Sequence, residues 1–110
     1  MAGTPTRVFG PAQLTNAAAT KYTVPAAMAL DVTHIHLENP PGSAATSFTI
    51  SIGADAAGTR IFDAYPLAAS QVYDFYPNPL TLAAAEIIQA LAGTTNILTL
   101  TISGDLITLG

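Results

Sequence analysis

The sequence predicts an all-β protein, in which about eight strands form a two-sheet antiparallel sandwich with a jelly-roll-like arrangement. The first supporting observation is a periodicity of two, because apolar residues alternate with threonine or serine in several segments. The second is the spacing of proline, glycine and asparagine, which interrupt these segments about every ten positions. A length of 110 residues allows one domain with a modest core.

The N-terminal segment is expected to be loosely organised. Residues 1–10 are mostly small or polar and include Pro5, so we predict a flexible arm there and a single β-sandwich domain over residues 11–110. Gly10 and Pro11 allow only a short or edge strand in this region. Such an arm could lie over a neighbouring subunit.

The first long strand is predicted over residues 30–38. Its apolar residues change parity between Val32 and Ile35, which predicts a bulge near Thr33. Residues 20–24 precede it as an extended segment, since the residue before Pro25 avoids helical backbone angles.

The remaining predicted strands are short and are bounded by turn residues. They cover residues 48–52, 60–65, 71–76, 98–103 and 106–109, and within residues 80–89 one strand lies on either side of the alanines. Residues 83–86, Ala-Ala-Ala-Glu, suit a helix by propensity, but the leucines and isoleucines on either side favour strands. We therefore expect a turn at the alanines.

Charge is scarce in this chain. Three Lys+Arg and seven Asp+Glu amount to 9% of the residues, whereas half of the chain is hydrophobic. A small soluble domain is usually about a quarter charged. The low charge indicates that other protein chains cover much of the surface, as in a subunit of an assembly.

Several classes are disfavoured by composition. The net charge of -4, with Arg7, Lys21 and Arg60 as the only cations besides histidine, argues against nucleic-acid binding. The absence of cysteine excludes disulfides and thiolate metal sites in this sequence. Residues 87–104 contain too many polar residues for a membrane span. The N-terminal residues do not show a basic segment followed by an apolar one, so no secretory signal is predicted.

Six short segments occur in a characteristic order. They are residues 22–26 (YTVPA), 35–39 (IHLEN), 48–52 (FTISI), 78–82 (NPLTL), 87–90 (IIQA) and 100–104 (LTISG). Together they resemble small β-sandwich virion proteins of tailed bacteriophages, over about residues 20–110, although residues 83–86 replace the usual Ala-Gly-Asp turn of that family.

The resemblance implies a non-enzymatic structural protein of a phage virion. Its role would be capsid decoration or cementing, or that of a tail or neck accessory, after synthesis in the bacterial host cytoplasm. Low charge and the resemblance together predict a homo-oligomer, most simply a homotrimer, that contacts the major capsid or tail protein. Nucleic acid and membranes are not expected partners.

The predicted partner contact combines exposed aromatic side chains with a proline-rich loop. Its residues are Tyr65, Tyr73, Tyr76, Pro77, Asn78 and Pro79. Tyrosine suits such a surface because it buries a large area and keeps a polar tip. In an equally simple interpretation, one or two of these tyrosines cap a core that contains Phe48, Phe62 and Phe75.

One strand carries residues that could bind a metal. His34, His36 and Glu38 alternate and therefore share a face, and such a set can bind zinc. The His-x-His pair resembles the cupin metal site, but that pattern requires a third histidine, and this chain has two. We therefore expect no metal and no cofactor, and treat these three residues as alternative candidates on an exposed strand.

No catalytic residue is predicted. Four of the five aspartates, at positions 55, 63, 74 and 105, are considered as acid–base groups and are dispersed, and no nucleophile-elbow, Walker or Rossmann pattern occurs. The sequence therefore predicts that the protein is not an enzyme. Two alternatives stay open, namely a carbohydrate-binding or adhesin-type β-sandwich with tyrosines stacked on sugar rings, and a small cupin-like metal-binding protein.

Overall fold

The computed structural model describes residues 3–109, and within them the chain forms nine strands joined by turns. They are β1 (Thr4–Gln13), β2 (Ala19–Thr23), β3 (Met28–Glu38), β4 (Thr46–Ile52), β5 (Arg60–Leu67), β6 (Val72–Phe75), β7 (Leu80–Leu82), β8 (Ile87–Ala92) and β9 (Thr99–Thr108). None of these residues belongs to a helix that could cross a membrane.

The strands form two antiparallel sheets. Sheet A has the order β1-β9-β3-β6, with β7 also paired to β3, and sheet B has the order β2-β8-β4-β5. Successive strands alternate between the sheets except that β4 and β5 share sheet B and β6 and β7 share sheet A, which is the order typical of a jelly roll. This arrangement confirms the predicted all-β sandwich.

The core lies between the sheets and follows from the alternation in sequence. The inward residues of the four central strands are at most 1% exposed: Leu30, Val32, Ile35, Leu37, Phe48, Ile50, Ile88, Ala90, Ala92, Leu100 and Ile102. Each larger side chain of this set stabilises the fold by about 1.5–3 kcal/mol through removal of apolar surface from water. The intervening threonines and serines mostly face outward.

The bulge predicted near Thr33 is confirmed. The pairing of β3 with β9 shifts register between Val32 and His34, and Gly104 lies opposite Val32. A Cβ atom on Gly104 would overlap the carbonyl oxygen of Asp31, so the tight approach of the two strands requires glycine. Because the bulge inserts one residue, the even-numbered positions beyond it face outward instead of into the core.

The expectation of a flexible arm is corrected for residues 4–10. They belong to β1, which pairs with β9 from Thr4 opposite Leu106 onward, and Val8 is only 7% exposed. The open edge of β9 supplies backbone partners, and Pro5 is tolerated because β1 is an edge strand. Met1 and Ala2, which were also assigned to the arm, lie outside the described residues.

The turn expected at residues 83–86 is also confirmed. Ala85 has a φ of 69°, and the backbone N–H of Glu86 donates to the carbonyl of Ala83. The Glu86 carboxylate accepts a hydrogen bond of 2.7 Å from the backbone N–H of Ala83. This reciprocal pair explains how an alanine-rich segment turns the chain between β7 and β8.

Candidate functional site

One side of the sandwich is lined by aromatic residues. β5 is an edge strand of sheet B, and β6 is an edge strand of sheet A. The ring of Tyr65 on β5 lies against the ring of Tyr73 on β6, with centroids 4.8 Å apart. We call this side, formed by β5, β6 and Tyr76, the β5/β6 edge. Phe62 lies between the two sheets there, with its ring edge-on to Phe75 at 5.1 Å. Such pairs contribute about 0.5–1.5 kcal/mol each beyond their buried area.

Most of the exposed large apolar side chains lie on β5, on β6 or directly after β6. Five large hydrophobic residues are exposed: Ile61 36%, Tyr65 40%, Val72 56%, Tyr76 69% and Leu109 50%. The first four belong to the β5/β6 edge, and only Leu109 lies elsewhere among the described residues. Exposed apolar side chains on adjoining edge strands are typical of an interaction surface.

The backbone of β5 is poorly suited to pairing with another strand. Between Phe48 opposite Tyr65 and Ile50 opposite Phe62, two residues of β5 face one of β4, which is a bulge. Ala64 within it has a φ of 49°. Pro66 then lacks an N–H. Because bulges and proline block edge-to-edge pairing, β5 offers side chains and not a free ladder.

The predicted contact residues fall into two groups. Tyr65 and Tyr73 are together in the aromatic layer, whereas Tyr76 lies against His34 on the outer face of sheet A, with parallel rings 4.5 Å apart. Residues 77–79 connect β6 to β7, and Asn78 and Pro79 are exposed there.

Tyr73 also caps the core. Its ring is half-buried, and burial raises the pKa of its hydroxyl above the ordinary value, with a further contribution from neighbouring Tyr65. Phe48 is fully buried, and Phe62 and Phe75 pack against the core. The three phenylalanines therefore have the core role expected of them.

A second cluster lies on the outer face of sheet A. We call His34, His36 and Asp74 the His–Asp site. His34 Nε2 lies 2.7 Å and His36 Nδ1 2.6 Å from the same Asp74 oxygen, Oδ1. The side chains are 32–34% exposed. Hydrogen bonds from His36 and then His34 hold the pKa of the Asp74 carboxyl below its usual value.

The partner of the histidines is Asp74 and not Glu38. Cross-strand pairing places His36 opposite Asp74, while Glu38 lies opposite Val72 at the end of β3. Sequence reasoning missed Asp74 because alternation along β3 identifies only residues of β3. The outward parity of Asp74 is visible in the sequence, but the register of β3 with β6 joins residues that are 38 positions apart.

Asp55 and Asp63 share Arg60 as their ion-pair partner. Asp55 holds Arg60 through two hydrogen bonds, Nε to Oδ1 at 2.9 Å and Nη2 to Oδ2 at 3.2 Å. Asp63 accepts a more exposed contact from Arg60 Nη1 at 3.2 Å. These contacts stabilise the loop between β4 and β5 and give no arrangement for acid–base catalysis.

A shallow depression of about 360 Å³ lies on a different part of sheet A. It is lined by residues of β1, β3 and β9, including Arg7, Thr33 and Asp105, and none of the three tyrosines contributes to it. Tyr65, Tyr73 and Tyr76 therefore do not form the walls of this depression, as they would in a sugar-binding groove.

Comparisons with known proteins define the fold and no more. No family model and no curated protein matches the chain. A solved structure does, from work described as "Bacillus endospore appendages form a novel family of disulfide-linked pili". It superposes with a TM-score of 0.56 at 13% identity and covers 96% of this chain and 88% of that chain. The likeness supports the β-sandwich architecture, and the neighbour is an appendage protein and not a virion protein.

Proposed function

We propose that the chain is a non-enzymatic structural subunit that assembles with other protein chains through its β5/β6 edge. The observation that carries this proposal is that four of the five exposed large hydrophobic residues of the described part of the chain lie on β5, on β6 or directly after β6. Burial of such side chains against a partner is the main source of affinity in protein interfaces. The scarcity of charged residues agrees with a surface largely covered in an assembly.

The contact is expected to use side chains. The bulge and Pro66 make β5 unsuitable for strand addition, whereas Ile61, Tyr65 and Val72 project from edge strands. The sequence has no cysteine, so contacts between copies of these 110 residues would be non-covalent. Repetition of modest contacts in a symmetric assembly provides avidity without a strong single interface.

Two kinds of assembly are compatible with the fold. The sequence segments that resemble phage proteins support a virion subunit, as a homotrimer that decorates the capsid or as a tail or neck accessory. The structural likeness to a pilus protein supports an extracellular appendage. We favour the virion because the resemblance extends over several segments that occur in the characteristic order. The partner of the chain would then be the major capsid or tail protein.

The two other functions considered from sequence receive less support. A sugar-binding role would use Tyr65, Tyr73 or Tyr76, but Tyr73 is half-buried and Tyr76 is stacked on His34. A cupin-like metalloenzyme would need a third histidine, and this sequence has two. We therefore retain the structural subunit as the proposed function.

Self-assembly through the β5/β6 edge is tested with charge substitutions. Ile61→Lys combined with Val72→Lys places two cations at the proposed contact, and Leu109→Lys is the matched control at an exposed hydrophobic site elsewhere. Sedimentation velocity and native mass spectrometry are expected to give a closed oligomer for the wild type and the control, and a monomer for the double variant. Equal oligomerisation of all three proteins would contradict the proposed surface.

The type of assembly is tested in the strain that carries the gene. Phage particles and sheared surface filaments are purified separately, and peptides of the chain are quantified in each by mass spectrometry. Stoichiometric amounts in phage particles are the expected result. Enrichment in filaments would assign the chain to an appendage, and its presence in neither fraction would contradict a structural role.

A further inference from the structure

We propose that His34, His36 and Asp74 form a binding site for a divalent transition-metal ion of the zinc class on the outer face of sheet A. The site rests on three side chains from two paired strands, and the proposal is independent of the assembly function. It includes Asp74, a ligand that the spacing of the histidines along β3 does not reveal.

The geometry is close to that of a coordinated ion. One ligand atom from each residue lies within 4.8 Å of the other two, and both histidine nitrogens already point at a single carboxylate oxygen. A tetrahedral ion with bonds of about 2.0–2.1 Å separates its ligands by roughly 3.3 Å. Contacts of 2.6 and 2.7 Å would therefore widen by roughly 0.6–0.7 Å, which small side-chain rotations allow.

The supporting structure orients the three side chains. His34 and His36 face outward because of the bulge at Thr33, and β6 places Asp74 directly opposite His36. The ring of Tyr76 stacks on His34 with an interplanar angle of 4° and restricts its rotation. Ligands carried on paired strands lose little freedom when an ion binds, which favours affinity.

The donor set selects the class of metal. Two imidazoles and one carboxylate suit zinc, copper and nickel, whereas magnesium and calcium prefer sites built of oxygen alone. Because the three side chains are partly exposed, an ion can reach them from solvent. Three protein ligands also leave one position of a tetrahedron free for water or for a donor of a neighbouring subunit.

The experiment uses the full chain without a polyhistidine tag. After treatment with a chelator, the protein is titrated with zinc chloride and, separately, with magnesium chloride, by isothermal calorimetry and native mass spectrometry. We expect one zinc ion per chain and no magnesium. His36→Ala and Asp74→Asn should each weaken zinc binding at least about tenfold, and Glu38→Gln, on the same face of the same strand, should leave it unchanged.

A second measurement uses only the wild-type protein, so its result does not depend on whether the variants fold. Cobalt(II) bound at this site should give the intense visible absorption of tetrahedral coordination, in contrast to the weak spectrum of the hydrated ion. The proposal is overturned if zinc does not bind, if the two ligand variants bind as the wild type does, or if cobalt keeps its hydrated spectrum. In that case the three side chains form a hydrogen-bonded cluster only, and the oligomer measured in chelator still tests the assembly proposal separately.

Discussion

At the residue scale, Asn39 shows how one side chain fixes a loop. It is fully buried, and its amide nitrogen donates to the backbone carbonyls of Ala44 at 3.0 Å and Leu67 at 3.1 Å. The side chain thus joins the loop after β3 to the end of β5. Clamping by a buried amide is effective because water cannot replace the two hydrogen bonds.

Replacement of this residue should be costly. Asn39→Ala leaves the buried carbonyl of Leu67 without its partner and is expected to lower the free energy of unfolding by about 2 kcal/mol. Urea denaturation followed by circular dichroism measures the change. Asn16→Ala, at an exposed position, is the control and should stay within about 0.5 kcal/mol of the wild type. A similar effect of both substitutions would show that Asn39 has no special structural role.

The candidate site illustrates what residue patterns can and cannot predict. His34 and His36 are identifiable from their spacing, because alternate residues of a strand share a face. Glu38 satisfies the same rule but lies one pair too far along β3, opposite Val72. Asp74 is the better partner because of cross-strand register, and register between distant segments has no local signature in the sequence.

At the element scale, the bulge in β3 is the feature on which the outer face depends. Without it, the parity of Leu30 and Val32 would continue and direct His34 and His36 into the core. Gly104 permits the close approach of β9 at this point, since a side chain there would overlap the backbone of Asp31.

Gly104→Ala is therefore expected to be destabilising. Overpacking against backbone, which cannot rotate away, should cost about 3 kcal/mol of unfolding free energy, measurable by denaturant titration. Gly58→Ala is the matched control, because a Cβ at Gly58 has open space around it. Should Gly104→Ala be as stable as the control, the tight strand approach at the bulge would be refuted.

The loop between β4 and β5 contributes to the stability of the fold in a pH-dependent way. The hydrogen bond from Arg60 holds the pKa of the Asp55 carboxyl below the ordinary value of an aspartate, 3.8. The ionised carboxylate is thus favoured in the folded state, so its contribution to stability is complete above that value and is lost as the pH falls through the lower folded pKa.

Asp55→Asn should remove this contribution. Thermal unfolding between pH 7 and acid is expected to show a less stable variant at neutral pH and a difference from the wild type that disappears in acid. Asp63→Asn, which affects one exposed contact to Arg60, is the control and should have a smaller effect. A difference that is constant with pH would contradict the ion-pair explanation.

At the scale of the whole molecule, periodicity predicts the architecture well. Alternation in residues 48–52 and 98–103 identifies the buried face of central strands, and the change of parity in residues 30–38 identifies the bulge. Residues 4–10 are misjudged because proline and small residues resemble a loose segment. Their strand conformation depends on the edge of β9, which follows about a hundred positions later and is invisible to local reasoning.

The pairing of β1 with β9 has a practical consequence for engineering. Thr4 lies opposite Leu106, so both ends of the described chain lie in two neighbouring strands of sheet A, β1 and β9. β3 separates these two strands from β6. A fused cargo domain at either end would project away from the β5/β6 edge and leave it accessible for docking. The same proximity suits circular permutation, with a short linker between the old ends and new termini in the exposed loop at residues 56–58.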